Sequence, residues 1–417
     1  MKHILALITT LVLTACGGGG GEPTTPGASP SSAALVRTMT SSTKYIATTL
    51  DVRFDSDAPT IDGFPFPEDL GSIKKYIDHL RSVGYNVVKL QTNTPINLTT
   101  GKIGTVVSTC ITTCNHQLPR YFWDFVNYAK QSGLKVLIDA QIVDVDTDLP
   151  LSTSLYNHSP PPGMTWNDVL TSAFQYQINM ARKAETYKVD GWYVGNFNLG
   201  LDSESYRSLW QGQIDQLRTV FNGILIYASC DQCRNVVWSM VDQVEVYIDP
   251  VLSQNKVYDS NQIVALYRSA NVVANLQNIY QTYQKPIVVR TAINLGDKAT
   301  GQIDNPNLLI TATGNGVYGY GTLSGANHIS KFEADYVLQS ARMTAFFNLI
   351  NTDLKDIVVG SSINSYNPWR NASWLQNTCN AGDSICTAWQ TYVKLTDEMY
   401  HNPTAETVIK LFTAKLN

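Results

Sequence analysis

The sequence predicts an α/β protein: a single-domain (β/α)8 TIM barrel, preceded by a short N-terminal signal and a flexible linker. Three observations predict it. From residue 43 onward, short β-rich apolar runs alternate with amphipathic helical stretches, which argues for a parallel sheet covered by helices. The alternation recurs eight times, which favours closure into a barrel over an open doubly wound sheet. No Gly-x-Gly-x-x-Gly follows the first strand, as it would in a dinucleotide-binding open sheet.

The elements follow in order. Tyr45 to Phe54 reads as the first strand. Pro67 to Val83 reads as a helix, with Leu70, Ile73, Ile77 and Leu80 at helical spacing and Pro67 suited to its first turn. Gly84 ends it, and Asn86 to Gln91 is the second strand. Leu118 to Gln131 is helical, and Leu134 to Val143 is the third strand. A long helix from Thr165 to Lys188 precedes the strand Val189 to Gly195. Ser203 to Asn222 places Tyr206, Leu209, Trp210, Ile214, Leu217 and Phe221 on one face, with Gly223 as its cap. Ile224 to Ser229, Val244 to Ile248 and Pro286 to Ala292 are further strands, separated by helical stretches at Val236 to Met240 and Asn261 to Tyr283. After a polar excursion from Asn294 to Asn327 come a helix from Lys331 to Asn351, an eighth strand near Ile357 to Ile363, and a closing helix from Ala388 to Leu416.

The start of the chain has the anatomy of an export signal, assigned to residues 1–15. Lys2 and His3 precede an apolar run from Ile4 to Leu13, too short to span a bilayer. Leu13-Thr14-Ala15-Cys16 resembles the lipobox of bacterial lipoproteins, in which the cysteine carries lipid. Residues 16–42 begin with Gly17 to Gly21 and continue Pro-, Thr- and Ser-rich, the composition of a spacer without apolar surface to fold. The expectation is lipidation at Cys16, a tether to residue 42 and the barrel over 43–417. Gly17 after the cysteine, by resemblance to enterobacterial lipoproteins, favours the outer membrane. A net charge of −4 with scattered basic residues excludes a nucleic-acid surface.

Six further cysteines fall in three close pairs: Cys110 with Cys114, Cys230 with Cys233, and Cys379 with Cys386. Local disulfides are the economical reading for an exported chain. A redox Cys230-x-x-Cys233 or a zinc site beside His116 are the rivals. No two of His79, His116, His158, His328 and His401 stand at ligand spacing. Asp144, Asp146 and Asp148 alternate as a calcium loop would, although a solvated loop has the same pattern. No metal site and no cofactor are predicted.

In such barrels the working residues stand at the carboxyl ends of the strands. These ends carry Asp51, Gln91, Asp139, Asn196, Asn198, Asp249, Asn294 and Asn364, with Trp192, Tyr193, Phe197, Tyr227, Tyr247, Tyr366, Trp369 and Trp374 close by. Amides, carboxylates and ring faces are what a sugar-binding cleft uses. By alternation Trp192 and Val194 point one way and Tyr193 the other, so only one set faces the interior.

The run Val189-Asp190-Gly191-Trp192-Tyr193-Val194-Gly195, with Ile214 to Arg218 and Asn222 to Ala228, resembles the fourth and fifth units of clan A glycoside hydrolases. It is most similar to their β-mannanase-like family. Gln131 to Val136 fits the third unit, Lys285-Pro286-Ile287-Val288 the seventh, and Asn402 to Ile409 the closing tail. The resemblance spans roughly residues 45 to 415 and implies a polysaccharide as partner. It also implies two catalytic glutamates, at the ends of the fourth and seventh strands, about 5 Å apart in a retaining enzyme. Here those positions hold Phe197 and Ala292, and no glutamate lies between Glu185 and Glu204 or between Glu245 and Glu333. Neither side chain can donate a proton or form a glycosyl ester.

The resulting expectation is a glycan-binding barrel that uses Asp51, Asp139, Tyr193, Asn196, Asn198, Tyr227, Tyr247, Asp249, Asn294 and Trp369. Two alternatives stand beside it. One is an active hydrolase with replacement aspartates, Asp249 and Asp202 foremost. The other is a structural or adhesion lipoprotein.

Overall fold

The computed structural model describes residues 44–51, 70–97, 100–103, 118, 121–144, 149–150, 160–198, 200–250, 252, 257–291, 293, 296–297, 310–312, 318–320, 334–363 and 403–416. Eight strands run parallel and close on themselves: β1 (Tyr45–Asp51), β2 (Val87–Asn97), β3 (Lys135–Asp144), β4 (Gly191–Asn196), β5 (Ile224–Cys230), β6 (Gln243–Tyr247), β7 (Ile287–Thr291) and β8 (Val358–Ile363). Each pairs with its sequence neighbour, and β8 returns to β1 with Tyr45 opposite Gly360. The (β/α)8 barrel predicted from the alternation is therefore the fold observed.

The helices form the outer ring: α1 (Leu70–Val83), α2 (Phe122–Gln131), α3 (Trp166–Thr186), α4 (Arg207–Val220), α5 (Ser260–Ser269), α6 (Val272–Tyr283), α7 (Tyr336–Asn351) and α8 (Pro403–Leu416). Local chemistry sets their starts. Thr165 and Asp168 form a reciprocal capping box on α3, and Asp259 with Gln262 forms one on α5, each satisfying backbone donors that the first turn leaves open. The apolar stripe of α4 buries Trp210, Ile214 and Leu217, and Phe174 of α3 meets Trp210 with ring centroids 4.8 Å apart. Fully burying one such large side chain contributes on the order of 1.5–3 kcal/mol. Phe347 of α7 stacks on Phe412 of α8 at 3.9 Å, and His79 of α1 lies 2.6 Å from Glu406 of α8, so the last helix is tied to the first.

Four details differ from the sequence reading. The stretch expected to be one helix over 261–283 is two, because Asn271 adopts a left-handed backbone (φ 61°), a conformation asparagine tolerates better than most residues. The helical turn expected near 236–240 is a single 3-10 turn, Val237–Ser239. Strand β2 runs on to Asn97, where its end pairs antiparallel with Lys102–Ile103. In the polar excursion, Ile310–Ala312 pairs with Tyr318–Tyr320, and Gly296–Asp297 pairs with Ala334–Asp335.

The core has two parts. Tyr45, Ala47, Val87, Leu137, Tyr193, Ile224, Ile226, Ala228 and Val288 fill the lower lumen, and a larger cluster lies between strands and helices. Gly360 makes room for the lumen packing, since a Cβ there would stand 2.8 Å from the Tyr45 ring. Among the described residues no helix is long and apolar enough to cross a membrane, and no group of metal-ligating side chains gathers.

Candidate functional site

Above its apolar floor the lumen turns polar. Lys89 projects from β2 and Glu245 from β6, each within an otherwise apolar stretch, and their charged ends meet 3.0 Å apart with neither side chain exposed. The Tyr193 hydroxyl donates to the other Glu245 oxygen at 2.6 Å, and Arg290 of β7 lies 3.5 Å from the oxygen that Lys89 holds. The Lys89 ammonium also stands over the Tyr193 ring, 4.8 Å from its centroid. Burial by itself would raise the Glu245 carboxyl, but Lys89 and Arg290 outweigh it and hold the group below its ordinary value. Glu245 is thus an ionised, fully engaged carboxylate.

One step higher, Arg290 donates to Asn196 Oδ1 at 3.4 Å, and Asn196 Nδ2 donates to Asp139 Oδ2 at 2.7 Å. Asp139 is completely buried, and its Oδ1 has no hydrogen-bond partner among the described residues. Burial raises its carboxyl affinity for a proton, against the opposing pull of Lys89 and Arg290. Beside it, Gln91 donates to Gln141 at 2.6 Å.

A bulge makes this arrangement possible. Between Tyr193 and Gly195 the register of β4 against β5 slips, so Gly195 lies opposite Tyr227 and Asn196 opposite Ala228. Simple alternation would send Tyr193 inward and Asn196 outward, whereas the slip brings both into the lumen. Phe197 follows with φ 54°, left-handed for a bulky residue, its N–H bonded to Ala228 O at 2.9 Å. Its ring meets the Tyr247 ring edge-on, with centroids 6.1 Å apart. At the end of β6, Asp249 accepts from Arg342 at 3.1 Å, and its side chain is 36% exposed. Its carboxyl is raised by burial, against Arg342, and the Tyr247 hydroxyl is pushed up to about 12 by burial and by Asp249.

Asp139, Tyr193, Asn196, Tyr247 and Asp249 therefore stand in or at the mouth of the lumen. Three other expected site residues do not. Tyr227 points outward into the helical shell, where its ring meets Trp210 and its hydroxyl donates to Asp202 at 3.0 Å. Asp202 is accordingly an anchor for the loop before α4 and does not face the mouth. Asn198 is buried on the same outer side, since a Cβ on Gly195 would lie 2.5 Å from its amide nitrogen. Asp51 ends β1, whereas Ala292, Asn294 and Trp369 lie outside the described residues, as do the Cys110–Cys114 and Cys379–Cys386 pairs. Cys230 and Cys233 form a disulfide, with Cα atoms 5.0 Å apart. Lys89, Glu245 and Arg290 are site residues that sequence reasoning alone does not single out. Their signal was present as charged residues at alternate, inward positions of apolar strands.

A sequence profile of Glycoside Hydrolase Family 113 matches residues 102–296. Among solved structures, a GH113 β-1,4-mannanase superposes with a TM-score of 0.58 at 14% identity, covering 90% of this chain and 99% of that one. This is a glycoside-hydrolase-like barrel. A complex of a GH113 β-1,4-mannanase gives 0.56 at 13% identity, covering 89% and 98%. The GH113 β-mannanase of Alicyclobacillus acidocaldarius gives 0.54 at 13%, covering 90% and 98%. No curated protein matches the sequence. The likeness to these structures is one of fold.

Proposed function

We propose that the chain is a lipid-anchored glycan-binding protein in which a glycoside-hydrolase-like barrel carries no retaining hydrolysis. The observation that carries this reading is Phe197. It occupies the end of β4, where the resemblance implies a proton donor, and presents a ring toward Tyr247. The nearby glutamate is no substitute, because Glu245 is fully buried with both oxygens engaged by Lys89, Arg290 and Tyr193. Such a carboxylate cannot reach a glycosidic bond. The mouth retains rings, an amide and a carboxylate in Phe197, Tyr247, Asn196 and Asp249, groups that stack on pyranose faces and hydrogen-bond hydroxyls. The structural relatives are β-1,4-mannanases, which makes a β-1,4-linked mannan the first ligand to try. Cys16 would carry the lipid, and residues 16–42 would hold the barrel away from the outer membrane.

A second reading draws on Asp249, whose side chain is 36% exposed at the mouth and whose carboxyl is raised by burial against Arg342. Paired with a second carboxyl about 6.5–9.5 Å away, it would make an inverting hydrolase. One experiment addresses both readings. The purified protein is titrated with mannohexaose in a calorimeter, and the same mixture is assayed for reducing sugar and chain length. Binding with the hexasaccharide intact supports the first reading. Hydrolysis lost in Asp249→Asn replaces it with the second. Failure to retain any polysaccharide in affinity gels overturns both and leaves a structural or adhesion role.

A further inference from the structure

On the flank of the barrel, separate from the lumen, a cleft of about 810 Å³ opens between α6, the start of α4 and the loop that follows β5. That loop reads Cys230-Asp231-Gln232-Cys233-Arg234, and its two cysteines are joined. Cys233 lines the cleft, Cys230 ends β5, and both residues are half-buried rather than sealed in the core. A disulfide within reach of solvent is open to thiol–disulfide exchange, which depends on access to one sulfur.

The loop has anchors besides the bond. Cys233 N–H donates to Cys230 O at 3.1 Å, Val236 N–H donates to Asp202 O at 2.9 Å, and Asn275 of α6 donates to Asp231 at 2.9 Å. Opening the bond therefore leaves two thiols side by side, able to close again. The charges beside the sulfurs define the thiol that fits. Asp231 follows Cys230, Arg234 follows Cys233, and both line the cleft. Of the other charged groups there, Arg207 pairs with Glu204, and Asp202 accepts from the Tyr227 hydroxyl within the helical shell. Charges of opposite sign thus flank the disulfide. A thiol that carries both an ammonium and a carboxylate meets both, whereas an uncharged thiol meets neither.

We infer that Cys230–Cys233 is an exchange-active disulfide, opened through this cleft by a small thiol of amino-acid type. The thiolate attacks Cys233 Sγ, the Cys230–Cys233 bond breaks, and Cys230 leaves as a thiolate that takes a proton from water. A second thiolate then attacks the small-molecule sulfur of the mixed disulfide. Cys233 is freed as a thiolate, a symmetrical small-molecule disulfide departs, and two electrons have passed to the protein. The exchange does not depend on what the mouth of the barrel binds.

The folded full-length protein is treated with millimolar reduced glutathione or 2-mercaptoethanol. Opened thiols are trapped with iodoacetamide and mapped by mass to residues 230–233. Each rate is divided by that of the same protein unfolded in urea, which removes the intrinsic reactivity of the thiol. Glutathione should then be favoured about tenfold, the advantage that two partly exposed ion pairs supply together, with the first adduct on Cys233. Asp231→Asn keeps an acceptor for Asn275, and Arg234→Gln changes an exposed position; each should cut the preference to about threefold. The inference is overturned if the folded protein keeps the bond closed toward both thiols, if the adduct forms on Cys230, if glutathione has no advantage, or if neither variant reduces it. Should Asp231→Asn not fold, Arg234→Gln carries the test alone.

Discussion

Glu245 holds Lys89 at 3.0 Å in the centre of the barrel, with both side chains withdrawn from water. Burying two charges costs several kcal/mol per ion, and their attraction with the Tyr193 and Arg290 contacts offsets it only while the set is complete. Lys89→Met should therefore destabilise the protein by about 3–5 kcal/mol, because Glu245 is left unbalanced. The double variant Lys89→Met, Glu245→Leu should recover most of that loss. Urea unfolding of the three proteins checks this, and a double variant as unstable as Lys89→Met would mean that packing, not charge, decides.

Asp139 sets the direction of a pH effect. Its folded proton affinity is raised by burial, so the folded chain holds a proton that the unfolded chain releases above about 3.9. The stability this lends is fully present below that value and is lost as pH rises through the folded value. Asp139→Asn keeps an acceptor for Asn196 and removes the titration. The variant should gain stability relative to the wild type as pH rises from acid toward neutral, seen in unfolding curves at several pH values. A constant difference would show that Asp139 titrates as an ordinary aspartate.

The Cys230–Cys233 bond spans three residues of sequence separation. A loop that short restrains little of the unfolded chain, and the entropic estimate is about 2 kcal/mol. Replacing both cysteines by serine should lower stability by no more than that and leave the barrel folded. The far-ultraviolet spectrum should be unchanged while exchange over 231–236 quickens. A collapse of the fold would make the bond structural to the barrel, beyond its own loop.

The barrel was legible because its evidence is repetitive: eight apolar runs of strand length, each followed by residues at helical spacing. A single exception hardly disturbs such a pattern, which is also why the site was harder to read. Lys89, Glu245 and Arg290 each look like an isolated polar residue in an apolar strand, and only closure of the sheet brings them together. The bulge at Tyr193 and Gly195 defeats alternation in the strand that matters most, placing Asn196 inward. Tyr227 shows the converse, since its position near a strand end suggested the mouth although its direction is outward. The break at Asn271 leaves no trace in the apolar spacing, because α5 and α6 continue one stripe on both sides of it.

Phe197 is held in a left-handed backbone at the end of β4. A non-glycine residue with φ 54° carries a cost of roughly 1–2 kcal/mol, and a bulky aromatic has no side-chain hydrogen bond to offset it. Phe197→Gly removes that strain and keeps the N–H bond to Ala228 O, while deleting the ring contact with Tyr247. Its stability should stay within about 1 kcal/mol of the wild type, since the relieved strain and the lost contact are of similar size. Mannohexaose binding at the mouth should weaken about tenfold, or ~1.4 kcal/mol, if the ring stacks on sugar. Phe197→Glu should likewise leave the hexasaccharide uncut, because a retaining reaction needs a second carboxyl about 5 Å away and Glu245 is locked to Lys89. Release of reducing sugar by Phe197→Glu would show that a partner acid is within reach of the mouth, and the binding-only reading would then fall.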